Sequence, residues 1–248
     1  MSKLSGKVAV VTGASKGIGA GIARALAAEG AAVIVNYASS KEGADQVVET
    51  IVGTGGKAVA VQGDVSKESG AKGVIDAAIE NFGRLDILVN NSGVYEFAPI
   101  EEATEEQYRK IFDVNVLGTL LTTKAAVPHL GEGASVINIS SAVTSVFPAQ
   151  SAVYTGTKGA VDAITGVLAN ELGDRKIRVN AINPGVVETE GTHTAGVIGS
   201  DFEAGFLAQT PLGRIGQPDD IANIAVFLAS DEAGWLTGEK LTVSGGLR

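Results

Sequence analysis

The chain contains no cysteine. That removes disulfides, thiolate metal ligands and a cysteine nucleophile together, and it fits a reducing compartment. Histidine is nearly absent as well: His129 and His193 are the only two, too few for a closed zinc shell in a chain without thiolates. Aromatic residues make up only 5%, so the core must be built from Val, Ile, Leu and Ala. No apolar run reaches the ~18 residues that suggest a membrane span. Residues Met1 to Lys7 show no apolar signal-peptide segment, and a cytoplasmic protein is the expectation. Basic residues are in the minority, 19 against 28 acidic, for a net charge of -9. Affinity for a phosphate backbone rests on basic side chains, so neither nucleic acid nor a membrane surface is an expected partner.

What is present is an ordinary globular composition: 248 residues, 45% hydrophobic and 19% charged. That length fits one domain, residues 1–248, with a full core of its own. Glycine is frequent, 33 residues without a period, which points to tight turns and close backbone approaches. Short apolar runs at Val8–Thr12, Ala32–Tyr37, Ala58–Gln62, Ile87–Asn90, Ser135–Ser140, Arg178–Ile182 and Leu241–Val243 read as strands. Helical patterns lie between them at Ile18–Glu29, Lys41–Thr54, Glu68–Phe82, Glu105–His129, Ser151–Gly173 and Asp219–Ala229. Strands without polar alternation are buried on both faces. Alternating with helices, they predict an α/β fold: a doubly wound parallel sheet of seven strands with helices on both faces. Thr104 to Gln107 reads as a capping box opening the fourth helix. The loosely patterned stretch Ala195–Ala204 reads equally as part of a substrate lid near 187–212 or as a mobile surface loop.

Thr12-Gly13-Ala14-Ser15-Lys16-Gly17-Ile18-Gly19 follows the first strand and opens the first helix. Glycines at 13, 17 and 19 let the chain turn sharply and let a pyrophosphate approach the main chain, where the helix N-terminus presents free N–H groups. The same residues fit G-x-S-x-G, with Ser15 as a hydrolase nucleophile. That reading needs an acid and then a histidine downstream, for which only His129 and His193 are available, and strands before Val8, where none is read.

Further along stand Asp64-Val65, Asn90-Asn91-Ser92-Gly93, Asn115, Ser141, Tyr154-x-x-x-Lys158, Asn183-Pro184-Gly185 and Ser244-Gly245-Gly246. In this order and spacing, over essentially the full length, the chain resembles a single-domain short-chain dehydrogenase/reductase. Within that family it is most similar to the 3-oxoacyl-acyl-carrier-protein reductases and the glucose 1-dehydrogenases. The resemblance implies a Rossmann-type fold, a homotetramer, and an enzyme interconverting a ketone and a secondary alcohol.

Tyr154 and Lys158 are four apart on a helical stretch and share one face. A free phenol titrates near ~10, and a neighbouring ammonium is expected to lower that value and make the pair a general acid/base. Ser141 closes a strand, where its hydroxyl would hold the substrate oxygen. The resemblance implies the same roles. It adds that Lys158 holds the nicotinamide ribose and that Asn115 anchors a water relaying protons to Lys158.

The second strand ends Asn36-Tyr37-Ala38-Ser39-Ser40-Lys41, with no carboxylate before Glu42. A carboxylate there would repel a 2′-phosphate. Its absence, with Ser39, Ser40 and Lys41 nearby and Lys16 in the glycine turn, favours NADP(H), with NAD(H) as the alternative. The resemblance places Asp64 on the adenine amino group with Val65 beside the ring. It puts Asn90, Asn91, Ser92 and Gly93 along the ribose and the floor. Pro184, Gly185, Val187 and Thr189 would lie around the nicotinamide. Ser92 stands where the family usually has Ala, and Ser244 where it often has Asp.

Val94, Tyr95, Val143, Phe147, Gln150, Val187 and the segment Glu190 to Phe206 are the substrate-pocket candidates, mostly apolar. His193 in that segment is a candidate polar contact. An acyl-carrier partner would need a basic patch, for which Arg109, Lys110 and Arg175 are available. A sugar substrate would need more hydrogen-bonding groups.

Overall fold

The computed structural model describes residues 2–194 and 196–247. Ala195, the first residue of the loosely patterned stretch, lies outside them, as does Met1. Seven strands form one sheet: β1 (Val8–Val11), β2 (Ala32–Tyr37), β3 (Lys57–Gln62), β4 (Leu85–Asn90), β5 (Leu130–Ile139), β6 (Arg178–Pro184) and β7 (Lys240–Val243). Their order is β3-β2-β1-β4-β5-β6-β7 and every pairing is parallel. The order reverses between β1 and β4. Beyond the carboxyl ends of the strands at such a switch point, a crevice opens.

The unbroken apolar runs follow from burial on both faces. Val8 and Val10 pack with Ile34, Leu88, Val136 and Val179 on one side. Ala9 and Val11 pack with Val33, Val35, Val89 and Ile182 on the other. The second face is covered by α1 (Gly17–Ala28), α2 (Lys41–Gly53) and α10 (Pro218–Ala229), through Ile22, Leu26, Val47, Ile51 and Ile221. The first is covered by α3 (Glu68–Phe82), α5 (Gly118–Ala126) and α7 (Ala152–Leu172), through Val74, Ile75, Ala126 and Leu172. Leu26 is fully enclosed, and burial of such a side chain contributes about 1.5–3 kcal/mol.

The predicted helix over Glu105–His129 is not uniform. It runs as α4 (Glu105–Phe112), widens into a π-turn over Asp113–Leu117, continues as α5 and ends in a 3₁₀ turn, Val127–His129, at Pro128. The capping box at its start is half made. Thr104 accepts from the Gln107 N–H at 3.1 Å, but the Gln107 Oε1 is buried and receives no donor among the described residues. A reciprocal contact unread in the sequence opens α10, where Asp220 accepts the Gln217 N–H at 2.7 Å and is clamped by Arg214. β5 begins five residues early. Gly131-Glu132-Gly133 is exposed and polar, and the register with β4 is irregular there.

A buried polar network ties the strand ends to the helices. Asn90 donates to Asn138 Oδ1 at 2.9 Å and to Thr123 at 3.0 Å, and accepts from Thr122 at 2.6 Å. Asn138 in turn donates to Thr165 of α7 at 2.9 Å. Such groups are costly when unpaired and orienting when satisfied. Here they fix α7 against β4 and β5.

Candidate active site

A cavity of about 520 Å³ opens along the carboxyl ends of the strands. One end is the glycine turn. Gly13 and Gly17 adopt positive φ, 60° and 57°, conformations that favour glycine. A Cβ on Gly19 would lie 2.4 Å from Asn91 Nδ2 and 2.6 Å from the Gly13 carbonyl, so only glycine fits. Side chains from neighbouring strands pin the turn. Asn36 accepts from Gly13 N at 3.1 Å, and Asn91 donates to the carbonyls of Thr12 and Gly13 at 2.9 and 3.0 Å. Ser15, Lys16, Gly17 and Ile18 then face the cavity, beside Ala38, Ser39 and Ser40 from the end of β2 and Asp64 and Val65 after β3. Asp64 Oδ1 accepts from the amide and hydroxyl of Ser66 at 3.0 and 2.7 Å, which fixes its loop.

At the other end lie Ser141, Tyr154 and Lys158, with Asn91, Ser92 and Gly93 forming the floor between. Burial pushes the Tyr154 phenol up to about 12, against the opposing influence of the Ser141 side chain beside it. Burial likewise pulls the Lys158 amine down to about 8, against the attraction of Asp162. In the unliganded chain burial therefore acts against the expected acidic phenol. The Lys158 Nζ sits 5.8 Å from the Tyr154 ring centroid and donates to the Ile139 carbonyl at 2.8 Å. For each group desolvation outweighs what its neighbour, Ser141 or Asp162, gives back. The result at neutral pH is a protonated phenol held beside a hydroxyl donor.

Comparison with known proteins shows the family. A family model described as Enoyl-(Acyl carrier protein) reductase matches residues 13–248. An uncharacterized oxidoreductase of Methylorubrum extorquens is 71% identical over 248 residues, covering 100% of both chains. Versicolorin reductase of Emericella nidulans is 40% identical over 254 residues, covering 98% of this chain and 96% of its own. The crystal structure of a short-chain dehydrogenase from Burkholderia cenocepacia in complex with NADP matches with a TM-score of 0.94 at 35% identity, over 99% of each chain. The chain belongs to the short-chain dehydrogenase/reductase family.

In this short-chain dehydrogenase/reductase several expected site residues support the cavity without lining it. Asn36 and Tyr37 are buried, and Asn36 also donates to the carbonyls of Val61 and Gly63. Asn90 is consumed by the network described above. Asn115 sits in the π-turn, where its side chain accepts from Val94 N at 2.8 Å and donates to Val94 O at 2.9 Å and to Thr157 at 3.1 Å. It clamps the loop after β4 to α7. Pro184, Gly185, Val187 and Thr189 do line the cavity. Lys41 does not, because it pairs with Asp45 one turn along α2.

On the substrate side Val94, Tyr95, Val143 and Phe206 line the cavity, whereas Phe147 and Gln150 do not. Both of the latter have positive φ, 50° and 65°, and Phe147 is exposed. His193 faces a separate groove, where it meets Glu188 at 3.1 Å. Phe97, Val146, Pro148 and Leu247 line the cavity and were not anticipated. Ser244 holds Leu247 in place by donating to its carbonyl at 2.8 Å. Only Phe97 carried a signal, as an aromatic residue two positions beyond Tyr95 in a chain short of aromatics.

The hydrolase arrangement does not assemble. Ser15 follows the carboxyl end of β1, while His129 stands just before β5, at the amino ends of the parallel strands, and His193 is engaged with Glu188. Among the described residues no group of acidic and histidine side chains could hold a metal, and no helix is long and apolar enough to cross a membrane.

Proposed function

We propose that this NAD(P)-dependent enzyme is an NADP(H)-dependent ketoreductase that reduces an aromatic ketone to a secondary alcohol. The fit of the cofactor is supported by the cavity itself: it runs without a break from the glycine turn to Tyr154, and a Cβ at Gly19 would strike Asn91 and the Gly13 carbonyl and distort that turn. The pyrophosphate would rest on the turn. The 2′-phosphate would meet Ser39, Ser40 and Lys16, where no carboxylate stands at the end of β2. The NADP complex of the Burkholderia relative agrees with that choice.

Bound NADPH supplies the hydride. The chain does the rest. Ser141 orients the carbonyl oxygen, and the Tyr154 hydroxyl delivers the proton to it. A phenol held near 12 keeps its proton through the neutral range, which suits the donor role of reduction. Lys158, whose amine burial pulls down to about 8, can give up or take a proton near that pH. Segment 187–212 would cover the substrate as a lid, since Thr189, Thr192, Val197 and Phe206 all line the cavity.

The observation that carries the substrate class is an aromatic wall. Tyr95, Phe97 and Tyr154 stand with ring centroids 5.9–6.0 Å apart, the two contacts with Tyr154 being edge-on. Such rings favour a flat aromatic partner at the reacting tyrosine. A probable tetrahydroxynaphthalene reductase of Zymoseptoria tritici, 39% identical over 254 residues, carries a fused aromatic compound in its name, and its similarity agrees with that class. Against a carrier-protein substrate, Arg109 pairs with Glu105 and Lys110 with Glu96. Arg175 binds the carbonyls of Val127 and Leu130. The test is a spectrophotometric panel with NADPH against aryl ketones, diketones and acetoacetyl thioesters, with glucose oxidation in reverse. The highest kcat/KM should fall on a fused aromatic ketone. Preference for the thioester or glucose would refute the aromatic class.

A further inference from the structure

The short helix α8 (Glu190–Thr194) reaches back over the glycine turn. The Glu190 Oε2 accepts the Gly17 N–H at 3.0 Å. Gly17 is the first residue of α1, and its N–H has no acceptor within the helix. The approach is close: a Cβ on Gly17 would lie 3.2 Å from Thr189 and 3.8 Å from the Glu190 carboxylate. The base of this segment is anchored independently. Val187 bridges to Gly216, the Glu188 N–H donates to the Gly216 carbonyl at 2.9 Å, and the Glu188 carboxylate accepts from Gln217 at 2.9 Å. Glu188 and Glu190 therefore divide two tasks. One fixes the base of the lid, and the other places a negative charge where the helix dipole draws an anion.

We propose that Glu190 is an internal competitor for the pyrophosphate site. In the unliganded chain its carboxylate stands in for a phosphate oxygen on the Gly17 N–H and closes the lid over the turn. Two anions cannot share one donor, so the carboxylate must leave as the dinucleotide enters. Dinucleotide affinity is then set partly by a residue of the lid, and entry of the cofactor is coupled to lid opening. The inference rests on the NADP(H) reading above.

The test uses the full-length protein, Glu190→Gln and Glu190→Ala. In the cofactor-free state, hydrogen exchange of the Gly17 amide should accelerate in both variants, because a charged acceptor is weakened or removed. NADPH titration by fluorescence should then show tighter binding, on the order of tenfold for Glu190→Ala and less for Glu190→Gln. Unchanged Gly17 exchange, or NADPH affinity equal to or weaker than wild type in both variants, overturns the competitor role. Wild-type protein that binds no NADPH overturns the cofactor reading itself and this inference with it. Because the wild-type titration is independent of the variants, the two failures are told apart.

Discussion

The two ends of the cavity are built on opposite principles. The glycine turn works by backbone: it needs residues without side chains, and the groups around it (Asn36, Asn91 and Thr12) spend their polar atoms holding the main chain in place. The tyrosine end works by side chains whose properties are shifted by burial, with Tyr154 driven up and Lys158 driven down. Substitutions at the first end should therefore act on binding, and those at the second on turnover and on pH dependence.

The largest expected effect breaks the second end. Tyr154→Phe should lower turnover by roughly 10²–10⁴-fold while NADPH binding stays near wild type. Near-normal turnover in steady-state assays would remove Tyr154 as the proton donor. The mirror image is Gly19→Ala, whose Cβ meets Asn91 and the Gly13 carbonyl inside contact distance. It should weaken NADPH by about 100-fold, equivalent to a strain of roughly 2–3 kcal/mol. Calorimetry giving wild-type affinity would mean that the turn relaxes freely.

Lys158→Met sharpens the contrast through pH. The folded-state amine titrates near 8 and an unfolded lysine near ~10.4. Between these values the unfolded chain binds more protons, so wild-type stability should rise with pH across that window. The apolar variant lacks this term. It should be more stable than wild type by about 1–3 kcal/mol at pH 7, with the gap narrowing toward pH 10.5. A gap independent of pH in urea unfolding would show that the amine is not desolvated. The smallest effect is Lys16→Ala, which should weaken NADPH by about tenfold and NADH little, a loss typical of one charge-assisted contact. Equal losses for the two cofactors would mean that Lys16 does not read the 2′-phosphate.

The fold was legible because its signals are local and periodic. Val8 to Val11 and Ala32 to Tyr37 show their two-sided burial in composition alone, and α3 was bounded correctly from its pattern. The exceptions have tertiary causes. The π-turn at 113–117 exists where Asn115 must reach Val94 and Thr157, and β5 starts in Gly131-Glu132-Gly133, which no strand pattern marks. In the site, Ser141, Tyr154 and Lys158 were readable by type and spacing. The separation of Asn36, Tyr37, Asn90 and Asn115 from the cavity wall was not, because motif position does not tell a lining residue from the one that braces it.

By itself the sequence determined the parallel sheet, the glycine turn after β1 and the set of groups able to move a proton. Those follow from side-chain chemistry and from spacing along one chain. Only the tertiary structure decided which way burial moves the phenol and the amine, that Phe97 and Leu247 join the pocket, and that the Glu190 carboxylate lands on Gly17 from 173 residues away. Desolvation and long-range contact depend on what surrounds a group in space, and neighbours in the chain do not specify that.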